Sequence, residues 1–120
     1  MKTKQKNDYI KVLLMKELTE IDFIQDYFEL VFDDVRLSIL IKSSVEKNGE
    51  RIRDNSKFFA SELISCINSY VKEVTMIEHE TFTIQFSNKV ILEISLHLQD
   101  YVIPEAVIIS SNNQEIFAVL

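Results

Sequence analysis

The residues best suited to chemistry in this 120-residue chain are one cysteine and two histidines. Cys66 lies on the apolar stripe of a predicted helix with no histidine near it in sequence, whereas a nucleophilic thiolate needs a neighbouring base. We therefore predict that Cys66 is a small buried side chain. His79 and His97 show neither the His-x-His nor the His-Glu-x-x-His spacing of metal sites, so we expect no metal and no cofactor.

Asp33 and Asp34 could act as a carboxylate pair in acid–base chemistry. Adjacent residues point in different directions, and aspartate favours turns, so the pair predicts a turn between two strands. No nucleophile-elbow pattern surrounds any serine, and the single glycine argues against a phosphate-cradling loop. We expect no catalytic residues, so the chain is predicted not to be an enzyme.

The net charge of −6 is concentrated in one segment, because seven acids and no Lys or Arg lie between Glu17 and Asp34. Nucleic-acid binding needs basic residues that neutralise phosphates, so no nucleic-acid partner is expected. An acidic surface suits a basic protein partner through charge complementarity, and a merely solubilising surface is the alternative. The candidate partner-binding residues are Asp22, Asp26, Glu29, Asp33 and Asp34.

The length of the chain fits a single domain, residues 1–120, that can bury a core. No apolar run approaches the length of a membrane span, so no membrane partner is expected. Residues 1–7 are predicted to be a flexible tail. The short apolar segment after them contains Lys11 and lacks a cleavage site, so it does not resemble a signal peptide. A single cysteine fits a reducing compartment, and we expect a cytoplasmic protein.

Two segments of the chain, residues 9–41 and 56–96, form an approximate internal repeat. Each has a Phe-x-aliphatic-x-Phe triplet followed by a turn and an alternating run. The spacing between matched residues grows only at the turns, as expected of a duplicated meander, although alternation alone could also produce the similarity. The matched positions include Ile21 with Val74, Phe28 with Phe82, Leu30 with Ile84, Phe32 with Phe86 and Leu37 with Leu92.

The periodicity predicts a helix over 8–18, or alternatively a strand from Tyr9 to Met15, and a second helix over 56–70. Strands are predicted over 19–24, 27–32, 35–41, 71–77, 81–86 and 89–96, with a last hairpin of 106–109 and 115–119 across residues 110–113. Residues 42–55 are predicted to be a flexible loop.

Alternating strands are typical of antiparallel sheets with one covered and one wet face. We therefore predict a two-layer α+β domain in which two helices cover a mostly antiparallel sheet. It would consist of two similar helix-plus-three-strand units and a C-terminal hairpin. Asp22 and Glu29 are predicted on the wet face, together with Val31, Leu40 and Ile91.

The motifs FELVF with DD, FTIQF with SN, and PEAVII resemble the small immunity proteins of bacterial polymorphic toxin systems, such as contact-dependent growth inhibition. The resemblance extends from about Leu13 to Val119. It implies a cytosolic, non-enzymatic antitoxin that binds and neutralises its cognate toxin domain, commonly a nuclease, and we expect that toxin to be basic. The oligomeric state stays open. The alternative is a small ligand-binding or enzymatic α+β domain, in which His97 and Glu105 would line the pocket.

Overall fold

The computed structural model describes residues 8–111 and 115–120. The predicted flexible tail, residues 1–7, and residues 112–113 of the predicted last turn lie outside the described residues. Within them the chain forms ten strands, the α-helix α1 (Phe59–Ile64) and two 3-10 turns, Lys11–Leu13 and Leu98–Asp100. Residues 8–10 are also α-helical, but the helix predicted over 8–18 does not continue beyond the 3-10 turn that follows them. The strands are β1 (Glu20–Ile24), β2 (Tyr27–Phe32), β3 (Val35–Ile39), β4 (Ser43–Lys47), β5 (Glu50–Arg53), β6 (Val71–Ile77), β7 (Thr81–Phe86), β8 (Ile91–Ser95), β9 (Val107–Ser111) and β10 (Ile116–Val119).

The strands form two five-stranded sheets in which all neighbours are antiparallel. Sheet 1 has the order β1-β2-β3-β9-β10, and sheet 2 has the order β5-β4-β8-β7-β6. Alternate side chains of both sheets are buried in one core, where the rings of Phe32 and Phe86 stack with centroids 6.4 Å apart. The two sheets therefore face each other across the core, as in a β-sandwich.

The prediction of a mostly antiparallel sheet is confirmed, but the structure does not show two helices covering one sheet. The core between the sheets receives a few helical and flanking side chains, namely Ile10, Leu13, Phe59, Leu63 and Cys66. The second helix is also shorter than predicted, because residues 65–67 form turns and the chain reverses at Asn68, which has a φ of 77°. Among residues 8–111 and 115–120, no helix has the length and apolarity needed to cross a membrane.

The prediction that residues 42–55 form a flexible loop is wrong. They form the hairpin β4–β5, with Asn48 and Gly49 at positive φ in its turn. Val45 is fully buried and lies opposite Leu92 of β8. The polar sequence of residues 42–55 has only a weak strand preference. Pairing with β8 provides hydrogen-bond partners for the backbone of β4, and this tertiary contact overrides the local preference.

Backbone hydrogen bonds recur at matched positions of the two halves. The N–H of Leu18 donates to the carbonyl of Ser69 at 2.9 Å, and the N–H of Val71 donates to that of Lys16 at 3.0 Å. The strand registers match as well: Phe28 lies opposite Ile39, and Phe82 lies opposite Ile94. Each half thus builds the same three-stranded meander, β1–β3 in one sheet and β6–β8 in the other.

The hairpin that follows each meander lies on the meander of the other half. β4 pairs with β8, and β9 pairs with β3. Hydrogen bonds link the chain segments that lead into the two hairpins. The N–H of Ser95 donates to the carbonyl of Lys42 at 3.0 Å, and the N–H of Leu40 donates to the carbonyl of Ala106 at 2.8 Å. Because the hairpins are exchanged in this way, both halves contribute strands to each sheet, and neither sheet is built from one half alone.

Replacing Met15 by glycine is expected to stabilise the protein by about 0.5–1 kcal/mol. Met15 has a φ of 65° and its side chain is 71% exposed. A left-handed conformation costs a non-glycine residue about 1–2 kcal/mol, and the entropy of glycine offsets about half of this gain. Urea unfolding measures the change. The control is Leu14→Gly, at a residue with a φ of −57°, which should destabilise; equal effects of both variants would contradict the explanation.

Candidate functional site

Two of the predicted partner-binding acids lie side by side on the outer face of sheet 1. Asp22 of β1 and Glu29 of β2 are direct cross-strand neighbours. The Nη1 atom of Arg36 donates to Glu29 Oε1 at 2.8 Å and to Asp22 Oδ2 at 3.2 Å, and Ser38 Oγ donates to the second oxygen of Glu29 at 2.9 Å. The prediction that both point outward is confirmed, and both carboxylates are held in fixed positions by these bonds.

A third carboxylate, that of Glu20, adjoins this pair on β1. A hydrogen bond with Asp22 raises the pKa of Glu20, and the like charge of Asp22 raises it further. Three carboxylates therefore share the single guanidinium of Arg36, and this part of the surface keeps a negative charge. A cationic partner group placed here would relieve the repulsion between Glu20 and Asp22.

The other three predicted acids lie at the two ends of β2. Asp26 is in the β1–β2 turn, whereas Asp33 and Asp34 form the predicted β2–β3 turn. The six residues of β2 separate these turns by about 20 Å. Lys16 Nζ donates to Asp34 Oδ1 at 3.2 Å, and this hydrogen bond lowers the pKa of Asp34. The five acids thus form one central pair and two distant turns instead of a single cluster.

The apolar residues predicted beside these acids are only partly available. Leu40 lies half-buried at the end of sheet 1. Val31 faces the same side as Glu29 but is only 6% exposed, so it cannot serve as an anchor for a partner. Ile91 belongs to β8 in sheet 2 and does not share this face.

An open groove of about 440 Å³ lies at the Asp26 end of the sandwich. We call it the end groove. It is bounded by the β1–β2 turn, the residues after β3 and β5, the start of α1, and the segment around residues 100–102. Its wall combines apolar side chains with carboxylates, among them Phe23, Ile24, Val102, Asp26, Asp54 and Asp100.

The floor of the end groove is formed by aromatic rings that pack against one another. The ring centroid of Phe28 lies 6.0 Å from that of Phe23 and 5.7 Å from that of Phe59, which it meets edge to face. Phe28 and Phe59 are buried, but Phe23 remains 48% exposed and the nearby Val102 is 87% exposed. Such exposed apolar surface beside packed aromatic rings is typical of sites that bind other molecules.

Two carboxylates of the end groove, those of Asp54 and Asp100, accept hydrogen bonds. The backbone N–H of Ser43 donates to Asp54 Oδ2 at 2.9 Å. Ser95 Oγ donates to Asp100 Oδ2 at 2.6 Å, and this bond is the main cause of the lowered pKa of Asp100. Lys42 Nζ lies 3.6 Å from Asp100, and among the described residues Lys42 is the one basic residue that lines the groove. The carboxylates of Asp26 and Asp54 are therefore left to attract a cation.

A second groove, of about 220 Å³, adjoins the end groove on the outer side of sheet 2. Arg51, one of its basic residues, is compensated by an acid, since Arg51 Nη1 lies 3.0 Å from Glu93 Oε2. His97, one residue of the alternative prediction, lines this groove, and Glu105 lines neither groove. In the described part of the chain, no three His, Cys, Asp or Glu residues are grouped so that they could hold a metal ion.

Cys66 is fully buried, as predicted from its place on the apolar stripe. Its Sγ atom lies 3.7 Å from Nδ2 of Asn88, whose amide also donates to the carbonyl of Ser65. Burial raises the pKa of the Cys66 thiol to about 11. A neutral thiol enclosed in the core is suited to packing and not to nucleophilic attack.

Sequence reasoning missed most of the end groove. Asp54 fell within the predicted loop, and Asp100 and Val102 fell within a segment without periodicity.

Comparison with protein-family models, with curated proteins and with solved structures finds no match for this chain.

Proposed function

We propose that this protein is a non-enzymatic immunity protein that binds a basic toxin domain, of the nuclease kind, and neutralises it. The observation that carries the proposal is the end groove, where exposed Phe23 and Val102 lie beside Asp26 and Asp54. Apolar anchors within a charged rim supply much of the affinity of protein interfaces, while complementary charge supplies specificity and fast association.

The acids on sheet 1 extend the negative surface beyond the groove. Asp22 and Glu29 lie on the outer face of the same two strands whose connecting turn carries Asp26. A nuclease must present basic residues to the phosphates of its substrate. An acidic, partly apolar surface can occupy that basic region and exclude nucleic acid without any chemical step. Asp33 and Asp34 lie at the far end of β2, where they would steer the approach of a basic partner.

Co-expression with a candidate toxin domain encoded beside this gene tests the proposal. We expect the cells to survive, and the two proteins to purify as a stable complex in which the nuclease no longer cleaves nucleic acid. Killing of cells that contain the folded protein, together with no complex in solution, would refute the proposal.

Two variants with the same change in net charge are expected to distinguish an acid that contacts the bound toxin from acids that only attract it from a distance. Asp26→Lys and the double variant Asp33→Asn/Asp34→Asn each add two units of positive charge, and asparagine tolerates the φ of 50° at Asp33. Both should slow association with the toxin at low salt by about tenfold or less, whereas only Asp26→Lys should also speed dissociation. Stopped-flow and surface-binding kinetics measure the two rates. Faster dissociation only in the double variant would move the interface to the other end of the sheet.

The volume of the end groove also favours one alternative, a domain that binds a small ligand. The groove, of about 440 Å³, lies within the range of about 300–1,000 Å³ that is usual for small-molecule sites. Thermal unfolding in the presence of a metabolite library tests this alternative. A saturable rise in Tm with one compound, and no complex with any toxin domain, would favour it over the immunity function.

A further inference from the structure

The end groove has a counterpart in the second half of the molecule. Phe23 and Ile41, which line the groove, correspond by the repeat to Met76 and Leu96, which line a small cavity. The backbone relates a further pair of residues. The N–H of Asp54 donates to the carbonyl of Ser43 at 3.0 Å, and the N–H of Leu120 donates to that of Val107 at 2.8 Å. Since Ser43 and Val107 begin the two exchanged hairpins, Asp54 and Leu120 occupy equivalent places.

The counterpart is much smaller than the end groove, with a volume of about 60 Å³. Two of its lining side chains have no apolar equivalent in the end groove. Leu120 is 7% exposed and belongs to the core, whereas Asp54 stands in its place in the end groove. Tyr101 packs against the core from the long β8–β9 connection, residues 96–106. The β3–β4 connection is only residues 40–42 and has no counterpart of Tyr101.

Resting on the proposed toxin-binding function, we propose that the end groove receives an aromatic side chain of the partner, flanked in the partner's sequence by Lys or Arg. The aromatic group would lie in the end groove at the place that corresponds to Tyr101 in the counterpart. There it would pack against Phe23 and the rings of Phe28 and Phe59. Aromatic side chains seated in packed pockets are the commonest interface anchors.

The charge of the rim selects the residues that flank this aromatic group. Asp26, Asp54 and Asp100 line the groove, and the cation Lys42 lies beside Asp100. Asp54 takes the place of the apolar Leu120 of the counterpart. The end groove therefore offers a carboxylate to a cation where the counterpart offers an apolar side chain. A basic side chain on either side of the aromatic ring would bring a cation to Asp26 and Asp54. The occupant is therefore a basic–aromatic segment, which fits a toxin surface that binds nucleic acid.

Capped tripeptides probe this site without the toxin. In ¹⁵N–¹H NMR titrations, Ac-Arg-Tyr-Arg-NH₂ is expected to shift the amide signals of Phe23, Ile24 and Val102 in a saturable way, with a Kd of about millimolar order. Ac-Arg-Ala-Arg-NH₂ and Ac-Glu-Tyr-Glu-NH₂ should each bind at least about tenfold more weakly, because one lacks the anchor and the other the cations. Equal shifts with all three peptides, no saturable shift, or shifts confined to another surface would overturn the inference.

Two tryptophan variants of α1 provide a matched control. Ala60 lines the end groove, and Ala60→Trp should fill it and abolish the saturable shifts. Ile64 is 48% exposed on the same helix and does not line the groove, so Ile64→Trp should leave binding unchanged. If Ala60→Trp does not fold, as judged from its own NMR spectrum, Asp26→Lys serves instead and should weaken binding at least about tenfold. Undiminished binding in the folded groove variant would contradict the inference.

The same variants distinguish this inference from the proposed function. A toxin complex that is unaffected by Ala60→Trp would refute the aromatic anchor and leave the immunity function standing. Specific peptide binding in the end groove, with no protection and no complex in cells that produce the toxin, would instead refute the immunity function.

Discussion

Phe32→Ala and Phe86→Ala are each expected to lower the free energy of unfolding by about 3–5 kcal/mol. Both side chains are fully buried, and their rings stack 6.4 Å apart with an angle of 11° between the planes. Because one ring belongs to β2 and the other to β7, either truncation opens a cavity between the two sheets. The loss is a large part of the about 5–15 kcal/mol that stabilises a typical domain.

Urea unfolding followed by circular dichroism measures this loss. Phe58→Ala is the control, because Phe58 is 58% exposed, and it should change the stability by less than about 0.5 kcal/mol. The double variant should cost less than the sum of the single variants, since the two rings share one contact. Losses below about 1 kcal/mol for both buried positions would contradict the packing of one sheet against the other.

Cys66 in the native protein is expected to react with a thiol reagent at pH 8 at least about 200-fold more slowly than an unperturbed cysteine. The pKa of the thiol is raised to about 11, whereas an unperturbed cysteine has a pKa near about 8.5, so the thiolate is much scarcer at pH 8. Complete burial slows the reaction further. Because the shift is upward, the native rate should keep rising with pH well above 9 and not level off there.

The reaction with a chromogenic disulfide reagent, in buffer and in concentrated urea, measures this difference. The unfolded protein is the control, and its thiol should react at the rate of a free cysteine. Fast native modification with a plateau near pH 8 would indicate an accessible thiolate and would favour the enzymatic alternative. Cys66→Ala, which removes the thiol, should still protect cells from the toxin if the protein is non-enzymatic.

The strands of the two meanders were predictable because their residues alternate strongly. Phe28, Leu30 and Phe32 are inward-facing, and the matched triplet in β7 is also buried, as the two-residue period requires. The turn at Asp33 and the burial of Cys66 also followed from local chemistry. The hairpin β4–β5 was not predictable, since its outer residues are polar and its strand conformation depends on pairing with β8.

Among the candidate site residues, local sequence was a good guide to exposure and a poor guide to proximity. Asp22 and Glu29 were expected on one face and lie there together. Asp33 and Asp34 are close in sequence to Asp26, yet the length of β2 keeps them at the opposite end of the sheet. Asp54 and Asp100 are far from Asp26 in sequence, but the exchange of hairpins brings them to the same groove.

By itself, the sequence determined that the phenylalanine triplets of β2 and β7 are buried, where the meanders turn, and that the acids are concentrated in the first half. These properties depend on the alternation and charge of neighbouring residues, which no later folding step can change. Only the tertiary structure decided that each hairpin crosses to the other meander. The crossing leaves the end groove open beside Asp54, whereas Tyr101 and Leu120 line its smaller counterpart. The physical reason is that strand pairing between distant segments depends on how the whole core packs, and no short stretch of sequence records it.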